Sequence, residues 1–329
     1  MLTLNRDANR RPVQPDGPVV HDLYGIRIRT PWPVRGVPAT DEAWDVEFVE
    51  GDTAMLADAA AHVSPEQRDR WAQYAVLADG SRYRRWSGLF EFLVTPDARC
   101  IHARALDHTN DEALLAYLLV DALSYTMVRL GREPLHATAV LTDRGVVAFV
   151  GDSGRGKSTL GALFVRHGCR LVTDDMLVLT HEREGCMAHP GPPRIKLYRD
   201  IADRVFGDAS GGVPMNPLTD KLIVPLTDEQ AVRQPAAISA LYLIRDHDDR
   251  GRPPRPFIRR LSPASAFPEI LAATAGHYAF ERERLTRQFE FVRRLVERVP
   301  IKTLSYPRDT DTMSSLRDAV LADLDRSVN

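Results

Sequence analysis

The chain has 329 residues, 44% hydrophobic and 27% charged, enough for two domains that each bury a core. Its 43 basic and 45 acidic residues leave a net charge of −2, so no general attraction to nucleic acid is built in. Three cysteines, Cys100, Cys169 and Cys186, form no C-x-x-C pair, which argues against a disulfide framework or a zinc site.

The opening residues contain no apolar run of signal-peptide length, and the longest apolar stretch, around Leu114 to Val128, is interrupted by Asp121. The expectation is a soluble, cytoplasmic protein with no membrane or nucleic-acid partner; a homo-oligomer is left open.

Residues 1 to 17 are polar and read as loose chain. From His21 the text turns strand-like in short alternating pieces: "LYGIRIRT", "WDVEFVEG", "LFEFLVT" and "CIHARAL". Trp44, Trp71 and Trp86 in this region read as packing residues. "NDEALLAYLLVDALSYTMVRLG", residues 110 to 131, reads as one helix, capped by Asn110 or Asp111 and ended by Gly131. It closes a β-rich first domain, residues 1–130, and leads into a second, residues 131–329.

In "PLHATAVLTDRGVVAFVG" two apolar runs are joined by Thr142-Asp143-Arg144-Gly145, a hairpin signal. The second run ends in Gly151, Asp152, Ser153, Gly154, Arg155, Gly156, Lys157, Ser158 and Thr159, which fits G-x-x-x-x-G-K-[ST]. Glycines let such a loop turn its N–H groups onto an anion, and the helix that follows adds its positive end. Lys157 can contact the β- and γ-phosphates of ATP, and Ser158 can ligate Mg²⁺. An antiparallel hairpin strand beside this loop is unusual, because most such loops follow a strand in a parallel sheet.

"CRLVTDDMLVLT" then predicts a strand, two adjacent aspartates and a second strand. On an extended strand Asp174 and Asp175 would point to opposite faces; at a strand end both can approach the phosphates. One can hold Mg²⁺ and the other can accept a proton from an attacking hydroxyl. "GPPRIKLY" reads as a short strand entered by prolines, on which Arg194 and Lys196 share a face. Only four of the 43 basic residues are lysine, Lys157, Lys196, Lys221 and Lys302, so each retained lysine is a hint that a compact ammonium is wanted. Farther on, "ISALYLIRD" and "RPFIRRL" read as strands around the polar loop "HDDRGRPP". Helices are expected over 262–275, 280–298 and 309–325, with "IKTLSY" as a strand.

These residues resemble a family. "LHA" around His136, "GDSGRGKS" and "RLVTDD" are similar, in order and spacing, to the catalytic domain of bacterial HPr kinase/phosphorylase. The resemblance covers roughly residues 134 to 200. It implies an α/β fold of the phosphoenolpyruvate-carboxykinase/HPr-kinase-like P-loop kind, preceded here by the β-rich domain.

It also implies that Gly151 to Lys157 hold the ATP phosphates, that Ser158 and Asp174 lie at the metal, that Asp175 is the base and that His136 lies beside the aspartates. In place of the family's Glu-Val-Arg-Gly stretch this chain has "PGPPRIKLY". The whole chain better resembles divergent kinases of peptide biosynthetic clusters, including those that phosphorylate the C-terminal Ser of lasso-peptide precursors. Arg194 and Lys196, with Lys221 as a further candidate, would then face the acceptor. The resulting expectation is an ATP- and Mg²⁺-dependent serine kinase acting on a peptide or protein. The alternatives are a kinase of a small alcohol and a regulatory module that senses ATP.

Overall fold

The computed structural model describes residues 17–106, 109–183, 185–207, 211–246, 255–274, 282–307 and 312–328. The opening stretch 1–16 and the polar loop 247–254 lie outside the described residues. The architecture is mixed α/β with three sheets.

The first sheet is built from β1 (Val19–Leu23), β2 (Ile26–Thr30), β3 (Ala39–Thr40), β4 (Val46–Glu50), β5 (Ala72–Val76), β6 (Arg82–Trp86), β7 (Phe90–Val94) and β8 (Cys100–Ala105), with α1 (Thr53–Ala61) after β4. Its order is β3-β1-β2-β4-β8-β7-β6-β5, parallel at β2–β4 and β4–β8 and antiparallel elsewhere. "LYGIRIRT" is not one strand. Tyr24 and Gly25 both take positive φ, 57° and 72°, and turn the chain between β1 and β2, as a two-residue hairpin turn of the primed type requires. All five residues of β7 are buried because both faces of the sheet are covered. Leu56 of α1 meets Tyr83 and Leu93 on one side; Leu114, Leu118 and Leu123 meet Trp86, Phe90 and Phe92 on the other.

Those leucines belong to the helical run predicted over 110–131. Asn110 caps it, accepting the Ala113 N–H at 2.8 Å, and Gly131 follows its end at φ 79°. The run is not uniform. α2 (Asp111–Tyr117) and α3 (Leu123–Arg129) are separated by a wider π turn over Leu118–Ala122, which contains Asp121.

The second sheet uses β9 (Ala137–Thr142), β10 (Gly145–Val150), β11 (Arg170–Thr173), β12 (Val178–Glu182) and β13 (Gly185–His189), and later β17 (Ala236–Arg245), β18 (Phe257–Arg260) and β19 (Ile301–Ser305). Its order is β11-β9-β10-β17-β13-β12, with β19 also pairing with β17 and β18 lying beyond it. β9 and β10 form the expected antiparallel hairpin, while β10, β17 and β19 run parallel. The third sheet, order β14-β16-β15, comprises β14 (Arg194–Tyr198), β15 (Val213–Asn216) and β16 (Thr219–Pro225).

One face of the second sheet carries α4 (Lys157–Arg166) and α8 (Thr312–Val328), with α5 (Arg199–Phe206) packed beside α4 and on the third sheet, through Leu160, Phe164, Val205 and Leu316. The other carries α6 (Pro263–Ala273) and α7 (Arg282–Arg298), through Ile270, Val292 and Leu295. No helix among the described residues is long and apolar enough to cross a membrane.

Candidate functional site

β10 delivers the chain into the glycine loop and α4 leaves it. Gly154 and Gly156 take φ of 80° and 88°, which other residues rarely adopt, and Gly156 is the N-cap of α4. The loop's N–H groups and the helix N-terminus are thereby directed to one place. Lys157, buried, donates from Nζ to the carbonyls of Gly151 at 2.7 Å and Asp152 at 2.9 Å. Burial pushes its ammonium pKa down, against the pull of Asp175 and Asp174.

The aspartates sit where β11 ends, so their side chains diverge without facing opposite sides of a sheet. Asp174 is buried and accepts at Oδ1 from Thr138 Oγ1 (2.6 Å) and Ser158 Oγ (2.9 Å), and at Oδ2 from the backbone N–H of Lys196 (2.9 Å). Burial, with the neighbouring Asp175 charge, raises its pKa to about 6. Asp175 has φ of 71°, a strained value for a residue other than glycine, and asparagine or aspartate tolerate it best. Its Oδ2 lies 2.7 Å from Lys196 Nζ. Burial pushes its pKa up, but Lys196, with His136 and Lys221, outweighs burial and holds the carboxyl down at about 2. Of the two carboxylates, Asp174 therefore takes up a proton first.

His136 donates from Nδ1 to the Asp175 carbonyl at 2.9 Å, and burial, then Lys157, lowers its pKa. Gly161 makes the close approach of α4 to β9 possible: a Cβ there would lie 2.5 Å from Thr138 Cγ2. The methyl and hydroxyl of Thr138 thus serve helix packing and Asp174 together.

A cleft of about 770 Å³ opens above this cluster. Gly151, Asp152, Ser153, Arg155, His136, Asp175 and Lys196 line part of it, while Lys157 and Asp174 are buried and do not line it. Arg84, Tyr117, Asp121 and Ser124, from β6 and the helical run, form another stretch of its wall. Leu243 to Asp246, Glu269 and Ala272 to Thr274 complete it. Arg155 is ion-paired with Asp246.

The sequence candidates therefore divide. His136, the loop, Ser158, Asp174, Asp175 and Lys196 come together. Arg194 does share a face of β14 with Lys196, but it is buried in an ion pair with Glu112 at 3.3 Å and does not line the cleft. Lys221 lies with Nζ 5.2 Å from the Tyr198 ring centre, also outside the cleft lining. Thr138, Arg84 and Asp121 were missed from sequence. Asp121 did leave a signal, as the acidic residue breaking an otherwise apolar helical stretch; read only as an obstacle to membrane insertion, it is in fact a wall residue of the cleft.

No family model matches the chain, and no curated protein matches it. Among solved structures it is similar to the HPr(Ser) kinase/phosphatase of Coxiella burnetii, at 13% identity over 57% of this chain and 97% of that one, with a TM-score of 0.32. A likeness that low is a distant structural relationship and assigns no residue a role.

Proposed function

We propose that the chain is an ATP-dependent kinase of the phosphoenolpyruvate-carboxykinase/HPr-kinase-like P-loop kind, which transfers a phosphoryl group to a hydroxyl, with Ser of a peptide or protein as acceptor. The C-terminal Ser of a ribosomal peptide precursor is one such acceptor. The observation that carries this reading is the Ser158–Asp174 hydrogen bond behind a glycine loop, with Asp175 beside it at the cleft surface.

The residues fit Mg·ATP. Ser158 and Asp174 offer hard oxygen donors of the type Mg²⁺ takes, and the left-handed glycines with the α4 N-terminus form an anion cradle. When bound, Mg·ATP supplies the phosphoryl group to be transferred. Lys157, which donates here to two carbonyls, would contact the phosphate oxygens. Asp175 orients the acceptor hydroxyl and takes its proton; held at about 2, it is a weak base, so its contribution lies in positioning and in accepting the proton late. Lys196 keeps Asp175 ionised and in place.

The test is transfer from labelled ATP to Ser-containing peptides, with label located by mass spectrometry. The parent should label Ser. Lys157→Ala, read by calorimetry, should weaken Mg·ATP binding by about a hundredfold, roughly the 3 kcal/mol that a buried hydrogen bond between charged groups contributes. Equal affinity in the variant would sink the loop assignment. Binding without transfer to any hydroxyl would favour an ATP sensor, and transfer to small alcohols alone would favour a metabolite kinase.

A further inference from the structure

We propose that Tyr24 of the first sheet is a positioning residue: its phenol, seated on Thr173, holds the turn that carries Asp174 and Asp175 in its strained form. What that turn does in catalysis rests on the kinase reading above. That Tyr24 holds it stands on the contacts themselves.

Backbone strain marks both ends of the contact. Among the described residues only Tyr24, Ala98 and Asp175 take positive φ without being glycine. Such values are costly and persist only where the surroundings over-determine them. Asp175, at 71°, is the centre of a three-residue turn, in which the Met176 N–H donates to the Asp174 carbonyl at 3.0 Å. With a positive φ this is the rare, strained form of the γ-turn. Thr173 Oγ1 donates to the Met176 carbonyl at 2.8 Å, so its hydroxyl bridges the two residues that flank the aspartates.

Tyr24 reaches Thr173 from another sheet. It sits at φ 57° in the β1–β2 turn, where glycine or asparagine is favoured and an aromatic ring has no local reason to be. Its N–H donates to the Pro190 carbonyl at 2.8 Å, and the Gly191 N–H donates to the Val172 carbonyl at 2.8 Å. The β1–β2 turn is thereby tied to β11 just before the aspartates. The side chain is buried, at 1% exposure. Gly191 leaves room for it: a Cβ there would lie 2.5 Å from Thr173 Oγ1, 2.8 Å from Tyr24 Cε1 and 3.1 Å from Tyr24 Cζ. The tip of the phenol and the Thr173 hydroxyl thus crowd one point.

Tyr24 Oη is buried and makes no well-aligned hydrogen bond among the described residues. A buried hydroxyl left so is costly. Burial pushes its pKa up, so it remains a donor. Thr173 Oγ1 has given its proton to Met176 and keeps lone pairs that can accept another. Tyr24 to Thr173, then Thr173 to Met176, is the chain of donors that fixes the turn.

The experiment compares Tyr24→Phe, which keeps the ring and removes only the hydroxyl, with Thr173→Val and the double variant, all in the full chain. Amide hydrogen exchange, read by mass spectrometry, follows residues 173–177 without need of any activity. Tyr24→Phe should speed exchange there about tenfold, the ordinary worth of one hydrogen bond, while the buried strand β10 exchanges as in the parent. Transfer from labelled ATP to the Ser peptide that the parent labels best should lose kcat by a similar factor, with the calorimetric Kd of Mg·ATP unchanged. Because Tyr24 acts through Thr173, the double variant should lose no more than Thr173→Val alone. Gly191→Ala, which drives a methyl between the two hydroxyl-bearing side chains, should behave as Tyr24→Phe does.

Parent-like exchange over 173–177 in Tyr24→Phe would overturn the inference, as would single losses that multiply in the double variant. Faster exchange everywhere, β10 included, would show a general loss of stability and overturn it too. Transfer to no peptide by the parent would sink the kinase reading alone, and the exchange rates would still decide the role of Tyr24.

Discussion

Two parts of the cleft are built in different ways. At the loop end, His136, Thr138, Lys157, Ser158, Asp174, Asp175 and Lys196 come from one hairpin, one loop, one strand end and one short strand, and most of their polar atoms are spent on each other. Elsewhere in the wall, Arg84 comes from β6 of the first sheet and Asp121 from the helical run that packs on that sheet. The loop end is dense with satisfied contacts; among the described residues the wall from β6 and the helical run holds a single ion pair, Arg84–Asp121, half-exposed on the arginine side.

The sharpest way to break this contrast is at Asp175. Asp175→Asn should lower phosphoryl transfer by about 10² to 10⁴, the usual worth of a general base, while calorimetry shows Mg·ATP still bound. A mild loss equal to that of Asp174→Asn would mean that the pair is an acidic turn and not a divided machine.

A pH series is the next test. A protonated carboxyl does not ligate a cation, and Asp174 is held at about 6. Mg²⁺ affinity should be level above neutral pH and fall progressively below it, approaching about tenfold per pH unit. The two aspartates also act oppositely on folding without metal. The folded chain holds the Asp174 proton more tightly than the unfolded chain, so that residue's contribution to stability grows as pH falls from about 6. Asp175, held at about 2, contributes above the unfolded value and loses that contribution as pH falls toward 2. Urea midpoints across pH 3 to 8 should show both limbs.

The smallest effect is expected at Gly161. Gly161→Ala should cost about 1 to 2 kcal/mol in urea unfolding in spite of alanine's better helix propensity, because Thr138 cannot yield without leaving Asp174. Unchanged or higher stability would show that the loop end is less tightly built than described.

Much of the loop end was legible in the sequence because its determinants are local. A glycine loop between an apolar strand and a helix has few folded forms, and "DD" at a strand end brings both carboxylates to the same place. The Thr142–Gly145 turn likewise announced the antiparallel hairpin that the second sheet contains. The wall drawn from β6 and the helical run was not legible. Strand alternation gave β4, β7 and β8, but β5 and β6 carry charged and half-exposed residues without clean alternation. The π turn has no residue signature in an apolar run such as "LLVDA", since its hydrogen bonding is set by packing on the first sheet. Arg194 illustrates the same limit. Its place on the face shared with Lys196 followed from spacing, but its burial against Glu112 depended on where α2 would lie.

The four lysines also decide how the folded chain meets an amine-directed reagent. Lys157 and Lys302 are buried, Lys302 with Nζ 2.5 Å from Asp323, and Lys196 and Lys221 are only half-buried. Among lysine and arginine, every exposed side chain of the described residues is therefore an arginine. In the folded chain an acylating reagent finds no fully exposed lysine, and the lysine that lines the cleft is Lys196, with 11% of its side chain exposed, ion-paired with Asp175 at 2.7 Å and hydrogen-bonded to the Ala116 carbonyl at 3.3 Å. Acylation rate at that one side chain, followed by peptide mapping, becomes a direct gauge of cleft occupancy. Such a selective chemical handle exists because the chain uses arginine almost everywhere else.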